Sequence, residues 1–165
     1  MTRAAVVDTN VLVTANRRAP QAGTKCVLAC ISALRQVREG LVLLDGGDRI
    51  GREYRRNASL SGQPGTGDAF CKWVWDHQAK PDHCRMVRIT PKPEDPDDFE
   101  EFPNDPGLRD FDRSDRKWVA VALASDLAPR ILNATDTDWW HHREALGRCG
   151  VHVVFLCPDL MTAGR

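Results

Sequence analysis

Acidic residues stand at or within two residues of the end of two apolar runs in this sequence, at points where buried strands would end. Asp8 follows residues 3–7, and Asp136 and Asp138 follow the run that ends at Ala134. Because the crevice of an open parallel sheet lies beyond the carboxyl ends of its strands, Asp8 and Asp136 converge if their strands are neighbours. Asp138 lies on the same side as Asp136 if the extended backbone continues, since side chains alternate along a strand. Such oxygen ligands suit hard divalent cations.

Two further acids come from helical patterns. Asp115 precedes Trp118 and other apolar residues at helical spacing, which places it on the inward face of its helix, at the first turn. Glu53 lies on the border between an apolar stripe and an arginine stripe of a short helix. Several carboxylates in one cleft repel each other, and bound cations offset that cost. The sequence therefore predicts a Mg²⁺ or Mn²⁺ site built from Asp8, Glu53, Asp115 and Asp136.

Each of these acids also has an ordinary structural explanation. Asp8, Asp115 and Asp138 can each cap the helix that follows, and so can Ser114. Glu53 can pair with an arginine one turn away on a surface helix. The metal hypothesis depends on the acids meeting in one place, and capping does not.

The elements that must position these acids follow from apolar runs that alternate with helical patterns. The predicted strands are residues 3–8, 41–45, 84–89, 130–134 and 151–156, all rich in Val, Ile and Leu, as expected for strands buried on both faces. The predicted helices are residues 24–40, 68–80, 114–126 and 138–147. This alternation predicts one α/β domain over residues 1–165, a three-layer α/β/α sandwich around a central, mostly parallel five-stranded sheet.

One segment departs from this alternation. Residues 91–106 contain five prolines and seven acids, which predicts a mobile surface loop. It is either a solvated excursion or a rim that modulates access to a site or contacts a partner.

Composition limits the partners and the compartment. The 23 basic and 23 acidic residues give zero formal net charge, so any contact with nucleic acid must be local. No apolar run approaches the length of a membrane span, and the first residues do not resemble a signal peptide. We expect a cytoplasmic protein without membrane contact.

The six cysteines form no Cys-x-x-Cys pair. Cys26 and Cys30 lie one helical turn apart, which suits buried apolar positions, and we expect reduced structural thiols. A zinc site is the alternative, although no spacing matches a known finger. Its candidate ligands are Cys71, His77, His83, Cys84, His141 and His142.

Basic residues cluster near the predicted site and could grip phosphates without reading sequence. The predicted contacts are Arg49, Arg52, Arg56, Arg116 and Lys117, with Arg17, Arg18, Arg55 and Arg113 nearby. Their alternative is a solvated helix face. Trp139 and Trp140 could stack on bases, but at least one of them should lie in the core.

Four stretches resemble, in the right order, the four motifs of the PIN-domain nucleases: "AAVVDTNVLVTAN", "IGREY", "SDRKWVAVAL" and "ILNATDTDWW". Together they span nearly the whole chain. The resemblance implies that Asp8, Glu53, Asp115 and Asp136 bind one or two Mg²⁺ or Mn²⁺ ions, with Asp138 assisting. It also implies that Thr9 and Asn10 steady the first aspartate and the cleft, and that the fold is an α/β/α sandwich.

The resemblance further implies an endoribonuclease that hydrolyses single-stranded RNA and leaves a 5'-phosphate and a 3'-hydroxyl. Many single-domain members are toxins, often dimeric, that pair with a small antitoxin, so a homodimer and an antitoxin partner are expected by analogy. Two alternatives stay open: a nuclease acting on flapped or single-stranded DNA, and a non-catalytic PIN-like module that binds RNA or protein. An aspartyl nucleophile of the acid-phosphatase kind is poorly supported, because no second acid stands two residues after Asp8.

Overall fold

A computed structural model describes residues 3–163 of the chain. The strands are β1 (Ala4–Val7), β2 (Leu41–Asp45), β3 (Cys84–Val87), β4 (Pro91–Lys92), β5 (Asp95–Phe99), β6 (Arg130–Asn133) and β7 (His152–Phe155). The helices are α1 (Thr9–Ala15), α2 (Thr24–Val37), α3 (Arg49–Asn57), α4 (Thr66–His77), α5 (Arg116–Ala124), α6 (Thr137–His141), α7 (Arg143–Arg148) and α8 (Pro158–Thr162). Short 3₁₀ turns cover Pro106–Leu108 and Arg113–Asp115.

Within the described residues, the central sheet has five parallel strands in the order β3-β2-β1-β6-β7, flanked by helices. This confirms the predicted α/β sandwich. Strands β1 and β6 are neighbours, with Val7 opposite Leu132, and the amide of Asp8 donates to the carbonyl of Leu132 at 3.1 Å. The residues that follow these two strands therefore leave the sheet side by side.

The strands form where they were predicted because their side chains are apolar on both faces. Every residue of β1 and β2 is buried, and Ile131, Leu132 and Asn133 of β6 are buried as well. Buried polar side chains stand at the last positions of β2 and β6, Asp45 and Asn133, and further polar residues follow β1 and β6. The five strands fall within the predicted runs and are one or two residues shorter at some ends.

All four helix predictions need correction in their bounds. Helix α2 ends at Val37, before the predicted Gly40, and α5 covers Arg116–Ala124 within the predicted residues 114–126. Helix α4 begins at Thr66, so Asp68 is its third residue, and its carboxylate accepts from the amide of Gly65 at 2.9 Å. The predicted helix over residues 138–147 is two helices, α6 and α7, which meet at His142.

The acidic segment 91–106 has many exposed residues, as its composition predicts, but it also contains regular structure and buried anchors. Strands β4 and β5 form an antiparallel hairpin, and Phe99 and Phe102 are buried. Asp98 is also buried, with ion pairs at 3.1 Å to Lys92 and to Arg116. The aromatic residues and this buried ion pair anchor the hairpin to α5, an effect that a count of prolines and acids misses.

The cysteines also depart from expectation, because Cys26 and Cys157 are joined in a disulfide across 131 residues of sequence. The remaining four are free. Within residues 3–163, the alternative zinc ligands do not gather into a metal-binding group; His77 and His83 pack instead on the ring of Trp73. In the same range, no helix has the length and apolarity needed to cross a membrane.

Candidate metal centre

Three carboxylates meet at the carboxyl edge of the sheet. Asp8 directly follows β1, Asp136 follows β6, and Asp115 stands at the start of α5. One carboxylate oxygen from each residue lies within 4.8 Å of the others. We call Asp8, Asp115 and Asp136 the acidic trio. Neighbouring parallel strands bring two of its members together, and the inward first turn of α5 brings the third.

Asp8 is buried and held by two hydrogen bonds. Its Oδ1 accepts from the backbone amide of Asn10 at 3.1 Å, which caps α1, and its Oδ2 accepts from Nε1 of Trp139 at 3.0 Å. Burial raises the pKa of Asp8 to about 7, with further increases from the charges of Glu53 and Asp136; the two hydrogen bonds oppose the shift. An uncompensated negative charge is therefore costly at this position.

Asp115 is not the helix cap that its position allows. The 3₁₀ turn before α5 is capped by Asp112, whose Oδ1 accepts from the amide and hydroxyl of Ser114 at 2.9 and 2.8 Å. Within the described residues, the side chain of Asp115 accepts no capping bond from α5. The pKa of Asp115 is raised to about 10. Burial is the largest cause, and the charge of Asp8 and a hydrogen bond with Asp136 raise the pKa further. Burial and the neighbouring carboxylates therefore both favour the protonated form of Asp115.

Asp136 and Asp138 have different roles. Helix α6 begins at Thr137, and Asp136 caps it by accepting from the amide of Asp138 at 2.9 Å. Since the backbone is no longer extended there, Asp138 turns away from the trio. Its carboxylate accepts from the amide of Asp112 at 3.0 Å and lies 3.2 Å from Nδ1 of His142. The expected assisting ligand is thus occupied in fastening α6 to the segment before α5.

Glu53 stands beside the trio and has two partners of its own. The hydroxyl of Thr9 donates to its Oε2, and Nζ of Lys117 lies 2.9 Å from its Oε1. The hydroxyl of Tyr54 donates to the carbonyl of Val7 at 2.5 Å, which holds α3 against the end of β1. Glu53 is close enough to raise the pKa of Asp8, and among the described ion pairs its partner is Lys117. The alternative explanation of Glu53, an ion pair with an arginine of the same helix, is not seen among the described contacts.

An asparagine pair connects the two aspartate-bearing segments. Nδ2 of Asn10 donates to Oδ1 of Asn133 at 2.8 Å, and Oδ1 of Asn10 accepts from the amide of Ala134 at 2.8 Å. Nδ2 of Asn133 donates to the carbonyl of Asp136 at 3.1 Å. These bonds fix the separation of Asp8 and Asp136, in keeping with the steadying role expected of Asn10.

Sequence reasoning missed Asn133 and the indole bond of Trp139. A lone asparagine in an apolar strand is a usable signal, because a buried amide needs partners. Trp139 carries no such signal, since a buried tryptophan is ordinarily core. As expected, at least one of the two tryptophans is buried: Trp139 is fully enclosed, and Trp140 is half-buried under the guanidinium of Arg143, 4.0 Å from its ring.

An open cleft of about 620 Å³ lies between α3, the hairpin and the start of α5. Its cationic lining residues are Arg49, Arg52, Arg56, Arg113 and Lys117, and Glu53, Asp97, Phe99 and Ser114 complete the wall. Arg49 donates to the carbonyl of Pro96 and Arg52 to the carbonyls of Asp48 and Gly47, so these guanidinium charges are not neutralised by those contacts. We call this the basic cleft.

Arg116 does not belong to the basic cleft. It is buried, its Nη1 lies 3.1 Å from Asp98, and its guanidinium donates to the carbonyls of Arg109 and Phe111. The predicted phosphate contact at Arg116 is therefore corrected to a structural ion pair that anchors the hairpin. Arg49, Arg52, Arg56 and Lys117 do face the cleft.

No protein-family model, curated protein or solved structure matches this chain. What the centre could bind must therefore be inferred from its own donor atoms. Three clustered carboxylates with two raised pKa values form a hard oxygen site that a divalent cation would relieve. A cation entering the trio would displace the protons that burial holds on Asp8 and Asp115. The donor set thus fits Mg²⁺ or Mn²⁺.

Proposed function

We propose that this chain is a metal-dependent endoribonuclease that hydrolyses phosphodiester bonds of single-stranded RNA. One observation carries the proposal: the carboxylates of Asp8, Asp115 and Asp136 lie within 4.8 Å of one another, while Glu53 joins this trio to the basic cleft. A site for divalent cations next to a surface that attracts phosphate is what metal-assisted phosphodiester hydrolysis needs.

In this proposal, Asp8, Asp115 and Asp136 hold the cation, and Glu53 lies at the border of the site. A bound Mg²⁺ or Mn²⁺ ion supplies Lewis-acid charge for the phosphate and lowers the pKa of a water molecule. The chain positions its ligands rigidly, through the caps formed by Asp8 and Asp136 and the indole bond from Trp139. No side-chain nucleophile is required.

The basic cleft would hold the nucleic acid backbone. Arg49, Arg52 and Arg56 project from one face of α3, and Lys117 lies between Glu53 and the start of α5. Contacts of this kind add affinity and depend on salt, but they do not read sequence. The Lys117 ammonium also counters the charge of Glu53, so an approaching phosphate meets a less negative rim.

The choice of a single strand follows from the PIN-domain resemblance; the cleft itself, with α3 on one side and the hairpin on another, supplies basic side chains for a phosphate backbone. The choice of RNA over DNA follows from the PIN-domain resemblance. Direct competition between labelled single-stranded RNA and flapped or single-stranded DNA separates the two nuclease hypotheses. The same resemblance motivates a small antitoxin protein and a homodimer as proposed partners, and co-purification with the product of a neighbouring reading frame would test the antitoxin. The cytoplasmic location stays a prediction from the composition of the chain.

The deciding experiment incubates labelled single-stranded RNA with the protein in Mg²⁺, Mn²⁺ or EDTA. We expect cleavage that requires metal and falls at least about a hundredfold in Asp8→Asn, the loss typical of removing one electrostatic group from a catalytic centre. The matched control is Asp126→Asn, which changes an exposed carboxylate outside the trio and the basic cleft. Cleavage that persists in EDTA, or that is equal in Asp8→Asn, contradicts the proposal. Metal-dependent RNA binding without cleavage would indicate the non-catalytic module instead.

A further inference from the structure

Three sulfur atoms gather at a second place in the fold, apart from the acidic trio. Cys26 and Cys30 lie one turn apart on α2, and Cys157 precedes α8. Their Sγ atoms all lie within 4.8 Å of one another. We call these residues the cysteine trio. The disulfide between Cys26 and Cys157 uses two members, and Cys30 remains a free thiol.

The disulfide is buried, but both of its residues border a pocket that opens to solvent. A mostly apolar pocket of about 230 Å³, formed by the first turn of α2 and the segment around α8, is lined by both Cys26 and Cys157. Cys30 is fully buried behind them, and burial raises its pKa to about 12. A reductant can therefore approach the bonded pair, while the third thiol is shielded.

Reduction of this bond by a dithiol would convert Cys26 and Cys157 into free thiols. A thiolate of the dithiol attacks one sulfur of the disulfide, forming a mixed disulfide and releasing one protein thiolate. The second thiol of the reductant then displaces the other protein sulfur and closes its own disulfide. Two electrons pass to the protein, which gains two thiols. Cys26, Cys30 and Cys157 are then all available as ligands.

We propose that, in the reduced protein, Cys26, Cys30 and Cys157 form a site for a thiophilic divalent cation of the zinc type. Thiolates select soft or borderline cations, whereas Mg²⁺ and Mn²⁺ prefer the oxygen ligands of the acidic trio. Cys26 is the third residue of α2, where free backbone amides and the helix dipole favour a thiolate.

The number of ligands also points to zinc. Among residues 3–163, the cluster contains three sulfur donors and no carboxylate or imidazole. Three protein ligands with one position left for solvent is a known zinc arrangement. Binding would displace the proton from Cys30, so the affinity for the cation should increase with pH. The two trios thus offer separate sites for hard and soft cations on one small chain.

The test uses Cd²⁺ as the probe, because its bonds to thiolate sulfur absorb in the ultraviolet. The whole protein is reduced, separated from the reductant without oxygen, and titrated. We expect one equivalent of Cd²⁺ to give the absorption of a three-thiolate site, and Zn²⁺ to displace it. The oxidised protein, which keeps Cys30, Cys71, Cys84 and Cys149 as thiols, should give no such absorption.

The variant Cys30→Ser should lower the Cd²⁺ affinity at least about tenfold, the loss seen even when only an outer partner of a ligand is removed. Cys71→Ser, which changes a buried cysteine outside the cluster, is the matched control and should bind as the unmodified chain does. Circular dichroism of each variant establishes that it is folded. Equal absorption in the reduced and oxidised proteins overturns the proposal without any variant, and so does unchanged affinity in folded Cys30→Ser.

Discussion

Replacing Asp115 by asparagine should stabilise the metal-free protein, although it removes a proposed ligand. The carboxyl group is buried, and its pKa is raised to about 10 by that burial, by the charge of Asp8 and by Asp136. At about pH 7.5 the folded protein therefore holds a proton that the unfolded chain, with a pKa near the ordinary value of 3.8, has lost. Folding must take up that proton, and asparagine abolishes the requirement. Its amide can still donate to Asp136, as the protonated acid does.

The size of the effect follows from the interval between the unfolded pKa and the assay pH. Each pH unit corresponds to about 1.4 kcal/mol, so the proton uptake costs up to about 5 kcal/mol at about pH 7.5. Water entering the cleft reduces this, and we expect a gain of about 2 to 5 kcal/mol for Asp115→Asn, or about 5 to 15 °C in the unfolding midpoint. Below about pH 3, under the unfolded value of 3.8, both states of the unmodified chain are protonated at this residue and the difference should vanish; at about pH 4 it should already be below about 1 kcal/mol.

Thermal unfolding in EDTA at about pH 7.5 and about pH 4 measures both quantities, with Asp126→Asn as the exposed control. Mn²⁺ should then raise the midpoint of the unmodified protein more than that of Asp115→Asn, because the cation binds the folded state and needs the carboxylate. A variant less stable than the parent at about pH 7.5, or a difference that is the same at both pH values, would refute the electrostatic reasoning.

Three further results are expected. Trp139→Phe keeps an aromatic ring in the core but removes the indole N–H that donates to Asp8. The Mn²⁺ affinity measured by calorimetry should therefore fall about tenfold. A lower melting point with unchanged Mn²⁺ affinity would indicate a purely structural role. Arg56→Gln should reduce the salt dependence of RNA binding by about one unit of slope in a binding titration, and an unchanged slope would exclude this side chain from phosphate contact. Arg116→Ala should destabilise the fold by about 3 kcal/mol in urea unfolding, since Asp98 loses a buried partner, and wild-type stability would contradict that assignment.

The sequence was informative wherever a local pattern determines the structure. Apolar runs predicted all five strands of the sheet, because strands covered on both faces have few polar positions. The adjacency of β1 and β6 then brought Asp8 and Asp136 together, and the helical spacing after Asp115 placed it inward. These predictions used local sequence patterns, together with the rule that parallel strands end at the same edge of a sheet.

Other features depend on contacts between distant segments, and the sequence did not reveal them. Asp138 was expected beside Asp136, but the chain turns into α6 at Thr137, and a boundary shift of one or two residues moves a side chain to another face. Arg116 was grouped with exposed basic residues because its partner, Asp98, belongs to a segment whose composition resembles a loop. The disulfide spans 131 residues and leaves no local pattern.

Capping explains two members of the acidic trio and leaves the third without a structural reason. Asp8 and Asp136 each accept from a backbone amide at the start of a helix, so a fold without any metal could retain both. Within the described chain, the side chain of Asp115 caps no helix, since Asp112 caps the turn before it. The burial of Asp115 costs free energy at neutral pH. The burial of Asp115 against two other carboxylates therefore supports the proposed divalent cation, because a bound cation would offset the cost of ionising this group.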